Sequence, residues 1–130
     1  MAAMNRTRIE DIRRGLGWFS VGLGAAELVT PRLVAKIIGA VPNARTSFML
    51  RLAGLREIGA GMSLLLTRHP LPVWLRVVGD ALDLGMLGVA STARRANGVR
   101  LVTAAAAVSA IAALDAFTAL RTTTALHEAR

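Results

Sequence analysis

Five of the eight acidic residues in this chain, Glu27, Glu57, Asp80, Asp83 and Asp115, fall inside four long apolar stretches, and three arginines, Arg51, Arg56 and Arg76, fall there with them, besides Arg13, Arg14 and Arg100 at the stretch ends. An ionised group in such a segment is costly unless it is paired or wetted, so these side chains must converge on a shared interior. The stretches cover about 12–29, 47–67, 72–92 and 99–120. At about 1.5 Å of rise per helical residue, even the shortest reaches about 27 Å, close to the thickness of a bilayer core.

Hydrophobic residues make up 54% of the 130, mainly Ala, Leu and Val, beside 12 Gly, with two Trp, three Phe and no Tyr. Such usage suits helices packed through small side chains and disfavours a β-barrel. The chain reads as one domain, 1–130, and as an all-α, integral membrane four-helix bundle running up-down-up-down. Thr30-Pro31 breaks the first stretch from a short amphipathic piece, PRLVAKIIGAV, whose Leu33 and Ile37 share a face apart from Arg32 and Lys36. That pattern fits either a helix lying in the headgroup plane between the first and second spans or an ordinary surface helix. The run from Gly15 reads as a first span rather than a cleaved signal, because three more apolar stretches follow and Glu27 interrupts its far end. The charge density of the second and third stretches keeps a soluble amphipathic bundle open as an alternative.

The net charge of +8 does not point to nucleic acid. Basic residues gather at segment ends, as Arg6, Arg8, Arg13 and Arg14, then Arg32, Lys36 and Arg45, then Arg68, then Arg94, Arg95 and Arg100, and finally Arg121 and Arg130. Flanking arginines meet lipid headgroups, and no stacking aromatics accompany them as single-strand binding requires. The terminal side carries seven of these residues and the opposite side six, so the cluster of four before the first span directs the termini to the cytoplasm. With no cysteine, disulfides, thiolate catalysis and cysteine metal sites are excluded.

In alternating helices, position along the chain converts to depth. Arg76 and Asp115 then share a layer about 6–8 Å from the terminal side, with Asp80 one turn deeper. Arg56, Glu57 and Asp83 share a layer near about 15–17 Å, and Glu27 and Arg51 share the far layer. Arg76, Asp80, Asp83 and Leu87 form one stripe. Gly17, Ser20, Gly24 and Glu27 form a stripe of small residues with one carboxylate, Ala53, Glu57 and Gly61 do the same, and Val108, Ala112 and Asp115 make the fourth. The eight charged residues are the candidate ion-pair network or ligand site, five carboxylates against three guanidiniums, formally minus two.

Asp80 and Asp83 are spaced to share a proton or hold a cation, but no nucleophile or oxyanion donor accompanies them, so no catalytic residue is assigned and an enzyme is disfavoured. His69 and His127 fall in polar ends without ligand spacing, and no metal or cofactor is assigned. GLGWFSVGLG lacks a preceding strand and reads as helix packing rather than dinucleotide binding.

The segments GLREIGAG at 54–61 and RVVGDALDLGMLG at 76–88, after RGLGWFSVGLGAAELVTPRLVAKIIG from Arg14, resemble an uncharacterised family of small four-helix bacterial membrane proteins. Relatives in that family stand alone or precede a START-like lipid-binding domain of the cyclase/dehydrase type. The resemblance implies the bacterial cytoplasmic (inner) membrane and a role near lipid, quinone or polyketide handling. The expectation is a membrane accessory or scaffold protein that contacts lipid and forms a homo-oligomer or joins a larger membrane complex. Alternatives are a proton or cation conductor using Glu57, Asp80 and Asp83, and a lipid- or quinone-binding module.

Overall fold

A computed structural model describes residues 2–128, with side chains from 7 to 124; Arg130 and the side chains of Arg6 and His127 lie outside the described residues. Five helices follow in order: α1 Ala2–Val29, α2 Pro31–Ile38, α3 Ala44–Leu66, α4 Leu71–Ser91 and α5 Gly98–Glu128. No strand occurs among the described residues. Local chemistry sets the breaks. Thr30 ends α1, Pro31 opens α2 at the position where a missing N–H costs nothing, and the Asn43 side chain accepts from the Thr46 N–H to cap α3.

The long helices form two antiparallel pairs, α1 with α3 and α4 with α5, joined more sparsely along α3 and α4 and along α1 and α5. The first seam is close enough for backbones to touch. A Cβ added to Gly24 would sit 2.5 Å from the Gly54 carbonyl oxygen, and one added to Gly61 would sit 2.6 Å from that of Gly17. The stripe Gly17, Ser20, Gly24 and Glu27 thus lies against Ala53, Gly54, Glu57 and Gly61, and these residues are all buried.

Among the described residues, apolar packing centres on two small clusters. Leu16, Leu64, Val73 and Ala119, one from each long helix, close the terminal end of the bundle. At the other end Ala35 and Ala40 pack against Leu50, with Ala90 beside them. Helix α2 is pinned to the α4–α5 turn there: the Asn97 N–H donates to the Gly39 carbonyl at 2.9 Å, and Arg100 Nη1 donates to the Lys36 carbonyl at 2.9 Å. Gly39 has φ 86°, and a Cβ there would meet the Asn97 carbonyl oxygen at 2.6 Å, so both conformation and space require glycine.

The outer helices exceed their apolar stretches. Helix α1 begins ten residues before Ile12, and α5 does not fray at Arg121 but continues to Glu128. The Thr122, Thr123 and Thr124 hydroxyls donate to the carbonyls of Thr118, Ala119 and Leu120, which satisfies each hydroxyl within the helix, and Trp74 Nε1 donates to Thr123 Oγ1 at 3.3 Å. Where the sequence reading expects four spans, one helix among the described residues, over Gly98–Thr124, is long and apolar enough to cross a membrane by length and composition.

Candidate functional site: a charged layer inside the bundle

Between the two apolar clusters, every long helix contributes a polar side chain to one connected layer. Its hub is Arg76 of α4, almost wholly buried. The guanidinium donates from Nε to Asp115 Oδ2 of α5 at 2.8 Å, with Nη2 also 2.8 Å from that oxygen. Its Nη1 donates to Ser20 Oγ of α1 and lies 3.3 Å from Glu57 Oε2 of α3. Ser20 in turn donates to Glu57 Oε2 at 2.6 Å. One side chain therefore touches all three other long helices, which only the planar, five-donor fork of arginine can do.

The chain of charges continues outward. Arg56 Nη2 donates to Glu57 Oε1 and to Asp83 Oδ2, each at 2.8 Å, and Arg56 Nη1 donates to the Gly79 carbonyl at 2.8 Å. A Cβ at Gly79 would lie 2.8 Å from this guanidinium, so Gly79 makes the space in which Arg56 crosses α4. The signs alternate as Asp115, Arg76, Glu57, Arg56, Asp83, so each interior charge has opposite neighbours and only the Arg56–Asp83 end is part-exposed. This is the geometry in which buried ion pairs recover their desolvation cost.

Two further carboxyls border the layer. Asp80 is buried on the Arg76 stripe of α4. Asp80 Oδ2 and Asp115 Oδ1 are both buried with no hydrogen-bond partner. Glu27 is buried with no partner for Oε2.

The depth expectation pairs Arg76 with Asp115 and gathers Arg56, Glu57 and Asp83, and the structure brings both sets together. It does not bring Arg51 to Glu27. Arg51 is exposed and has no ion pair among the described residues, because it stands about 100° round the helix from Leu50, outside the buried stripe of α3. Matching depth does not imply matching direction. Arg13, expected among headgroup arginines, is instead 2% exposed, and its Nη2 donates to the Leu64 and Thr67 carbonyls at the C-terminal end of α3. It belongs to the interior for the reason basic groups suit helix C-termini. The stripe Gly17, Ser20, Gly24, Glu27, continued one turn backwards, lands on Arg13, and that continuation was the available signal.

His69 is exposed, its Nδ1 accepting from the Leu71 N–H at 3.2 Å, and no group of three or more His, Cys, Asp or Glu among the described residues is placed to hold a metal ion. No family model, curated protein or solved structure matches the chain.

Proposed function

We propose that the chain is a multi-pass protein of the bacterial cytoplasmic membrane, acting as a non-enzymatic accessory or scaffold subunit whose charged layer locks four spans into one arrangement. The observation that carries this reading is the inverted distribution of side chains. Arg13, Ser20, Glu27, Glu57, Arg76, Asp80, Asp115 and Thr118 are buried, while Trp18, Phe19, Leu55, Met62, Leu75, Val78, Leu82, Val102 and Phe117 are exposed on all four long helices. A water-soluble bundle buries the second group and solvates the first. Helix α5 supports the same reading, since 17% of its most apolar window is buried within the protein whereas the core helix of a soluble domain is mostly covered. Outward-facing Gly15, Gly22, Gly59, Gly85 and Gly88, with open space where a Cβ would be, give partner helices places to approach.

The apolar clusters above and below the charged layer favour an interlocking role over conduction. The deciding experiment washes native membranes with carbonate and then reconstitutes the protein in proteoliposomes. Retention in the pellet with no pH-driven flux is expected. Recovery in the wash overturns the membrane reading, and a wild-type flux abolished by Asp83→Asn replaces the scaffold with a conductor.

A further inference from the structure

Arg32 and Arg51 flank a groove of about 680 Å³ between the end of α1, the start of α2 and the first two turns of α3. Val29, Leu33 and Phe48 line it with exposed apolar surface, and Ser47 contributes a buried Oγ that has no hydrogen-bond partner. Both arginines are exposed, and neither has an ion pair or hydrogen bond among the described residues. Two free forked cations beside an orphaned hydroxyl, above an apolar floor, are complementary to a phosphate carrying hydrocarbon. The one carboxylate at this depth, Glu27, is buried and does not line the groove, and between Glu27 and Glu57, and between Asp83 and Asp115, the sequence has no acidic residue, so the surface of this end presents Arg32, Lys36, Arg45, Arg51, Arg94, Arg95 and Arg100.

We propose that this groove binds an anionic phospholipid, its phosphate held between Arg32 and Arg51 with Ser47 Oγ as a further donor and its upper acyl chain against Val29, Leu33 and Phe48. The site rests on the membrane reading and sits at headgroup level, where α2 leaves Leu33 and Ile37 exposed beside Arg32 and Lys36. The apolar walls select a lipid over a free phosphate, because a hydrated anion gains nothing from them. A volume of this size takes a headgroup and the first part of one chain, within the range of small-ligand sites.

The test reconstitutes the full chain in nanodiscs of phosphatidylcholine with a minority of phosphatidylglycerol and measures by native mass spectrometry which lipid stays bound. The wild type retains phosphatidylglycerol selectively. In the double variant Arg32→Gln with Arg51→Gln the selectivity falls by about tenfold or more, while Arg94→Gln with Arg95→Gln, equally basic and at the same end but outside the groove, keeps it. Helical content and melting are recorded for both, and the exposure of all four arginines predicts folded variants. Equal losses in the two double variants overturn the site in favour of a diffuse basic surface, and absence of selectivity in the wild type overturns it outright. Displacement of the lipid by inorganic phosphate or glycerophosphoglycerol alone overturns the lipid assignment. Failure of the chain to enter nanodiscs at all is separate, and overturns the membrane reading on which the site rests.

Discussion

Arg76 concentrates the energetics of the interior in one guanidinium, because Asp115, Ser20 and Glu57 reach it from three different helices. Arg76→Met removes that cation and leaves Asp115 buried without a counter-charge, a change expected to cost about 3–5 kcal/mol. Unfolding in detergent micelles measures it, and the double variant Arg76→Met with Asp115→Asn should recover a large part of the loss because the stranded charge goes too. A double variant no better than the single one would show that the stranded Asp115 charge is not the source of the loss. Asp80 predicts the opposite sign. Its Oδ2 is buried with no hydrogen-bond partner, so Asp80→Asn supplies an amide N–H and removes an unpaired buried carboxylate. Stability should hold or rise by up to about 1 kcal/mol, and a loss comparable with Arg76→Met would refute the arrangement. Much of this layer was legible in the sequence because helical rise turns residue number into depth, and Arg76 met Asp115, and Arg56 met Glu57 and Asp83, as their depths required, whereas the contact of Arg76 with Glu57 that joins the two sets was not expected from depth. Arg51 and Arg13 were not legible for a geometric reason. Depth is one coordinate and direction the other, and Arg51 has the right depth on the outer face while Arg13 folds back onto carbonyls 51 and 54 residues away.

At the scale of elements, the α1–α3 seam is set by absence of side chains. Gly24 and Gly54 face each other so closely that a Cβ on Gly54 would lie 2.6 Å from the Gly24 carbonyl oxygen, a contact with backbone that cannot rotate away. Gly54→Leu must therefore separate the two helices, drawing Ser20 and Glu57 apart and weakening the grip on Arg76. We expect destabilisation of about 1–3 kcal/mol or more from overpacking. Gly59→Ala is the matched control on the same helix. Nothing lies within 4 Å of its added Cβ, so relief of glycine's helical penalty should raise stability by up to about 1 kcal/mol. Equal effects of the two substitutions in a detergent melt would show that the seam is not in backbone contact. The glycine stripes were readable from their spacing, whereas the lengths of α1 and α5 were not. The threonines after Arg121 look like a polar tail, yet their hydroxyls are satisfied by carbonyls one turn back and Trp74 reaches Thr123. If the membrane reading holds, linear hydropathy undercounts α4 for a related reason. A window average counts Arg76, Asp80 and Asp83 against the span, although all three lie on one stripe and Leu75, Val78 and Leu82 occupy the exposed face.

For the whole molecule, the membrane reading leaves orientation to the balance of basic residues at the two ends. Counted along the sequence, the terminal side leads by seven to six. The fold alters both numbers: Arg13 is withdrawn into the interior to bind the end of α3, and Arg51 stands in the groove at the opposite end. The lead reverses to seven against six, with Arg32, Lys36, Arg45, Arg51, Arg94, Arg95 and Arg100 now the larger group. Because loop arginines and lysines are retained on the cytoplasmic side, the α2 end should face the cytoplasm and the termini should face away. The same placement sets the proposed phosphate groove in the leaflet whose surface potential is negative. The chain has no cysteine, so single introduced thiols report position without background. His69→Cys, in the exposed α3–α4 connection, should react with a membrane-impermeant maleimide in intact spheroplasts, while Ala93→Cys, in the exposed α4–α5 turn, should react only after lysis. The reverse pattern would place the termini in the cytoplasm and show that the arginines preceding α1 outweigh the basic end. Labelling of both positions in intact spheroplasts would rule out this topology altogether.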